Sequence, residues 1–303
     1  MDGRFSNSKE VMRITAIGFL WNMLLSAVKI IAGVAGQSQA VIADGVHSIS
    51  DMGTDLAVIL GAKFWNEPAD REHPYGHGRL ESIVSLGIAL VLGGVGVGLV
   101  LTALNTLQAG ETKTPGWIAA VAAAVSLVVK EILYRWTMHR GKAANSTALR
   151  ANAWHHRSDA LSSVPALAAV VGAKLLPEWT LLDPVGGIVV SLLILHAALK
   201  IGTGATQSLI DRGAPAEDIR KIHELAKQVE GVIRVHAIRT RSLGQGWAVD
   251  LHVLVDDDIT VRDGHDIAER VHRVLVEEGP MVADTVIHIE PVSDQAMRPD
   301  TSG

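Results

Sequence analysis

Residues 83–107 carry no charged side chain. An apolar run of that length can satisfy its own backbone N–H and C=O groups in lipid only as an α-helix, so it is expected to cross a membrane. Residues 14–35, 40–65, 117–133, 151–175 and 185–210 read the same way. The fold class expected is therefore an α-helical membrane protein with six transmembrane helices, spanning residues 13–211 after a cytoplasmic N-terminal segment of residues 1–12. A signal peptide would be shorter and would precede a soluble protein. Lys and Arg collect at the N-terminus (Arg4, Lys9, Arg13), in the second connection (Arg71, Arg79), in a basic loop between the fourth and fifth segments (Arg135, Arg140, Lys142, Arg150) and after the sixth (Arg212). The first connection has none and the third only Lys113, which puts both termini in the cytoplasm by the positive-inside rule. Within the segments, Gly94 and Gly98 have the small-x-x-x-small spacing of close helix packing. Lys29 is read as snorkelling to an interface or pairing with a neighbouring helix, and Lys130 with Glu131 as an interfacial pair.

The second segment breaks its own apolar pattern with Asp44, His47, Asp51 and Asp55. Spacings of three, four and four residues put all of them on one stripe of a helix. The fifth segment repeats the pattern in register with Asn152, His155 and Asp159. Two helices that each offer His-x-x-x-Asp and face one another would bring two imidazoles and two carboxylates into a tetrahedral cage. Mixed nitrogen and oxygen ligands in that geometry suit zinc, and two carboxylates cancel a divalent charge at a depth where an unpaired ion is costly. Asp44, Asp55 and Asn152 extend the stripes and are placed to line the route or support the ligands.

With no cysteine among 303 residues, thiolate zinc sites, disulfides and iron–sulfur clusters are excluded, which leaves His, Asp and Glu as the strong metal ligands. A net charge of −5 points to no nucleic-acid partner. Asp70, His73 and His77 lie within eight residues of the second connection and offer a further, exposed site. Residues 212–292 read as a small soluble α+β domain of order αββαβ, with helices at 216–230 and 261–278 and strands at 232–241, 247–255 and 284–290. His236, His252, His265, His288 and Glu290 are spread over these elements. Residues 293–303 are expected to be a disordered tail.

The paired His47-Ser48-Ile49-Ser50-Asp51 and His155-His156-Arg157-Ser158-Asp159, the Asp70–Gly78 loop and the tail together resemble the cation diffusion facilitator family of divalent-metal transporters, from about residue 10 to residue 292. The resemblance implies that His47, Asp51, His155 and Asp159 form the transport site. It also implies a loop site at Asp70, His73 and His77, and a metallochaperone-like regulatory domain that binds metal through His236, His252, His265, His288 and Glu290. Arg79 and Asp211 match positions that pair across a dimer in relatives, which implies a homodimer. The His-Asp, His-Asp composition is similar to zinc-preferring members, whereas manganese-preferring relatives tend to carry aspartate at the helix-five histidine. The expectation is thus a transporter and not an enzyme. It would exchange Zn2+ for protons across a lipid bilayer, in a bacterial cytoplasmic (inner) membrane. Iron, manganese, cadmium or cobalt transport, or a metal-sensing scaffold without flux, are the alternatives. An intramembrane metal-dependent hydrolase fits less well, since no His-Glu-x-x-His string occurs and four ligands would close a zinc site.

Overall fold

The computed structural model describes the backbone of residues 2–65, 67–110, 112–143, 146–244 and 246–293; the side chains of residues 2–12, 54–60, 62, 63, 147, 148 and 177 lie outside that description. Asp55 and the expected tail from residue 294 onward therefore fall outside the described residues. Six long helices come first: α1 (Asp2–Ala35), α2 (Gln39–Trp65), α3 (Arg79–Ala109), α4 (Trp117–Ala143), α5 (Thr147–Leu175) and α6 (Leu182–Leu209). Among the described residues, α3, α4, α6 and residues 13–35 of α1 are long and apolar enough to cross a membrane. Helices α2 and α5, of 27 and 29 residues, are as long but carry the ionisable stripes.

Several helices outrun their apolar segments, because hydropathy marks the span while the helix continues until something stops it. Helix α1 runs back to Asp2 through a polar sequence that contains no proline. The basic loop expected between the fourth and fifth segments is helical for most of its length: Arg135, Arg140 and Lys142 belong to α4, and Arg150 to α5. An i,i+4 pair, Arg135 Nε to Glu131 Oε1 at 2.8 Å, supports the α4 extension. Ser146 caps α5 by accepting the Leu149 N–H at 3.3 Å.

The chain divides into two compact units, residues 1–58 with 87–201, and residues 59–86 with 202–303. In the first, the core is built largely from alanine: Ala40 and Ala43 of α2, Ala119, Ala120 and Ala123 of α4, and Ala166 and Ala169 of α5, with Val41, Val170 and Val190. Small side chains let backbones approach closely, which is how helices pack where lipid removes the hydrophobic drive. Asp183 at the start of α6 accepts from Ser38 Oγ at 2.6 Å and Gln39 N at 2.7 Å, so it caps α2 from another helix. Among the described residues the Gly94–Gly98 stripe packs against nothing, since a Cβ at either position would meet no atom within 4 Å. Gly96, on another face of α3, approaches Leu195 of α6 instead.

In the second unit, α7 (Ala216–Lys227), β1 (Arg234–Ser242), β2 (Trp247–Val255), α8 (Val261–Glu278) and β3 (Val282–Pro291) follow in the order αββαβ. The sheet order is β1-β2-β3, antiparallel between the first two and parallel between the last two, with α8 as the crossover. Alternation decides the faces: Val249, Leu251, Val253 and Val255 of β2 point into a core with Ile222, Ala226, Ile267, Val271 and Leu275 of the helices. Each fully buried aliphatic there contributes roughly 1.5–3 kcal/mol. The even-numbered residues of β2 face away from the helices. The 2–3 connection packs in this unit through glycine: a Cβ on Gly78 would lie 1.8 Å from Leu243 O, and Gly244, at φ +95°, meets Gly78 in return. Only a residue free of a side chain fits either place.

Candidate metal sites

In the first unit the two stripes are held as separate His–Asp pairs. His47 Nε2 stands 3.9 Å from Asp51 Oδ2, and His155 Nδ1 stands 3.8 Å from Asp159 Oδ1. The i,i+4 helical spacing sets both distances. Ser163 of α5 donates to Asp44 Oδ1 of α2 at 2.8 Å, so the two helices that carry the pairs are in contact. Among the described residues, His47 Nδ1 is buried without a hydrogen-bond partner, a nitrogen that could ligate. Among the described residues the four ligand atoms do not close within 4.8 Å of one another, so the tetrahedral cage expected from the sequence is open here.

Two buried lysines accompany the stripes. Lys29 Nζ lies 2.7 Å from Asp44 Oδ2 and donates to Ser163 Oγ at 3.0 Å and Ser48 Oγ at 3.2 Å. Ser163 Oγ in turn donates to Asp44 Oδ1 at 2.8 Å, so Asp44 belongs to a closed polar group and is not an open ligand. Lys130 reaches Asp159 Oδ2 at 3.7 Å and Ser48 Oγ at 3.3 Å. Its expected partner Glu131 pairs with Arg135 instead, because adjacent helix residues point about 100° apart. Among the described residues, Asn152 Nδ2 is buried without a hydrogen-bond partner. His156 is buried against Gly18 of α1, where a Cβ would come within 2.8 Å of Nε2.

The second unit holds two tighter clusters. In the 2–3 connection Asp70 Oδ1 accepts the N–H groups of His73 at 2.6 Å and Glu72 at 2.8 Å, and the His73 bond above all holds its carboxyl below the usual carboxylate range. His73 and His77 approach that carboxylate at 3.5 and 3.6 Å. All three ligand atoms lie within 4.8 Å of one another, as they do for His236, His252 and Glu290. In the sheet, His236, His252 and His288 stand opposite one another across the three strands. A bulge at Ala237, with φ 50°, brings His236 into that row before the register shifts. Glu290 accepts from His236 Nε2 at 2.9 Å and His252 Nδ1 at 2.8 Å, and His288 Nε2 lies 3.5 Å away. Burial raises the Glu290 carboxyl, but the two imidazole hydrogen bonds outweigh it and hold it below its ordinary value. His265 is not brought to this row. It is exposed on α8, which packs on the opposite face of the sheet. Arg79 donates to Asp211 of the same chain, and Ser82 Oγ donates to Ser208 Oγ at 3.0 Å.

The family model described as "Cation efflux transmembrane domain" matches residues 15–210, and that described as "Cation efflux protein, cytoplasmic domain" matches residues 214–292. The chain belongs to the cation diffusion facilitator family. This facilitator is 35% identical over 298 residues to Metal tolerance protein C1 of Arabidopsis thaliana, matching 93% of this chain and 63% of that protein, so the chain spans under two thirds of it. It is 30% identical over 298 residues to the manganese efflux system protein MneP of Bacillus subtilis, covering 96% and 99% of the two chains. A solved MamM C-terminal domain is 28% identical, with a TM-score of 0.24, covering 25% of this chain and 94% of that one. A facilitator of this family is a multi-pass membrane protein with a cytoplasmic C-terminal domain, and the family moves divalent metal cations. The His–Asp pairs on the stripes were legible from spacing; the contacts of Lys130 with Ser48 and Asp159 and of Ser163 with Asp44 were not, although a lysine inside an apolar segment is itself a signal.

Proposed function

We propose that this facilitator exports a divalent cation of the zinc type from the cytoplasm in exchange for protons, working as a homodimer with both termini cytoplasmic. The observation that carries the reading is the pair of His-x-x-x-Asp arrangements on α2 and α5, inside the membrane unit and bridged by Lys130, which lies 3.3 Å from Ser48 of α2 and 3.7 Å from Asp159 of α5. Two imidazoles and two carboxylates suit zinc, and each must be deprotonated to bind it, so metal and protons exclude one another at the same atoms. In this reading Asp51 and Asp159 neutralise the ion, and His47 and His155 select it and exchange protons with either side. The loop and sheet clusters would bind metal on the cytoplasmic side and favour transport when the internal concentration is high, provided their affinity differs between transport states. The dimer reading draws support from the match to the family's cytoplasmic domain.

Manganese is the second reading, favoured by the names of MneP and of MneS, a second manganese efflux system protein that is 33% identical over 273 residues. The ligand set argues for zinc over it, since manganese prefers oxygen-rich octahedral sites. Zinc flux into proteoliposomes under an imposed pH gradient tests the main proposal. Proton-coupled flux should appear in the wild type and be lost in Asp51→Ala and in Asp159→Ala. Metal binding without flux in the wild type would replace transport by sensing. Manganese competition then separates the ions: His155→Asp should weaken zinc preference and favour manganese, and an unchanged preference would remove the role given to that histidine.

A further inference from the structure

The two buried lysines of the membrane unit, 0% and 1% exposed, are held in different ways. Lys29 has a full set of partners, one carboxylate at 2.7 Å and two hydroxyls at 3.0 and 3.2 Å, which uses its three N–H donors. Its charge is cancelled by Asp44, and nothing in that group needs to open. Lys130 is different. Its partners are Ser48 Oγ at 3.3 Å and a carboxylate at 3.7 Å, beyond normal hydrogen-bond length, and that carboxylate is Asp159. Ser48, which follows His47 directly, accepts from both lysines and so anchors the second ammonium between a neutral hydroxyl and the stripe.

We propose that the Lys130 ammonium is a tethered counter-cation for Asp159: it neutralises that carboxylate when no divalent ion is bound, and yields it to the arriving ion while staying on Ser48. The proposal rests on reading His47, Asp51, His155 and Asp159 as the transport site. Its physical logic is charge balance. With neutral imidazoles, two carboxylates alone would swing between two negative charges when empty and none when loaded. With the ammonium present, the same site carries one net negative charge when empty and one net positive charge when loaded. The cost of holding charge away from water grows with the square of that charge, so the lysine brings the two ends of the cycle to a similar cost. It also competes with the ion, and a transport site must bind weakly enough to release.

The test is zinc flux in proteoliposomes of the full-length protein, read as half-saturating zinc concentration and maximal rate. Lys130→Gln removes the competitor and should lower half-saturation about tenfold, a typical coupling between linked charges, while slowing maximal flux because release is slower. Lys130→Arg keeps the charge, and its planar fork grips a carboxylate more firmly, so half-saturation should rise above wild type. The expected order is Gln below Lys below Arg. An unmoved or reversed order overturns the proposal, and if Lys130→Gln does not fold, the direction of the arginine variant decides by itself. Asp159→Asn separates the two layers of the argument. Lost flux there with an unmoved Lys130 series removes only the lysine, whereas wild-type flux in Asp159→Asn removes the site and the lysine together.

Discussion

In the cytoplasmic sheet three histidines stand 2.8 to 3.5 Å from Glu290, whereas in the membrane unit His47 and His155 stand 3.9 and 3.8 Å from their carboxylates and a lysine approaches Asp159. Both sets pair histidine with a carboxylate, and the difference lies in what positions them. In the sheet, backbone hydrogen bonds fix the register, so His236, His252 and His288 fall side by side whether or not anything binds. In the membrane, the stripes sit on helices packed through alanine, and their separation is set by side-chain contacts that can change. A pre-assembled cluster suits a group that reports on metal, and an open pair of half-sites suits one that must let it go.

Substitutions that unbalance charge should press hardest on this contrast. Asp44→Ala strands the fully buried Lys29 ammonium, and losing one partner of such a pair costs about 3–5 kcal/mol. The full-length protein in detergent should melt well below wild type, and Asp44→Ala combined with Lys29→Met should recover most of the loss. No recovery would mean that the pair is not what holds those helices.

Glu290→Gln acts on the other side of the comparison. It replaces the shared acceptor of two imidazoles by a neutral amide, and hydrogen bonds to a charged group are each worth about 1.5–3 kcal/mol. Hydrogen exchange of β2 and β3 in the full chain should quicken, and unchanged exchange would mean the cluster adds nothing to the sheet.

Gly18→Ala probes how far the membrane helices give way. A Cβ 2.8 Å from His156 Nε2 must shift that buried imidazole or the helices around it, at up to about 1–3 kcal/mol for overpacking. Altered zinc half-saturation with retained folding is the outcome expected from an adjustable site, and unaltered transport would favour a rigid one.

The smaller effects concern α8, which covers the far side of the sheet. Its capping box joins Thr260 and Asp263, and the bonds from Thr260 hold the Asp263 carboxyl below its ordinary value. The folded value is the lower one, so this contribution is complete above the unfolded aspartate value and is lost as pH falls through the lower folded value. Asp263→Asn should flatten that part of the acid limb of a stability–pH curve and leave the neutral region nearly flat. His265→Ala should leave metal binding by the sheet cluster unchanged, while His252→Ala weakens it. Equal losses in the two would bring α8 into the cluster and end the contrast.

Much of this was legible beforehand, for reasons that differ by element. The strand 247–255 and the helix 261–278 read correctly to the residue, because apolar alternation and amphipathic periodicity are local signals. The helix ends around Arg135–Arg150 did not, since polar residues continue a helix that leaves the apolar span. His265 looked equivalent to His252 in the chain, and only the crossover of α8 puts them on opposite sides of a sheet.

The sequence by itself determined the helical spans, the two His-x-x-x-Asp stripes and the αββαβ order, since each follows from periodicity within one segment. Tertiary structure alone decided that Lys130 turns to Asp159 and not to Glu131, that Asp44 closes on Lys29, and that Glu290 gathers histidines from three strands. Apart from His288 with Glu290, which share β3, those pairings join residues from different elements. They are set by which faces pack together, and no spacing along one segment carries that information.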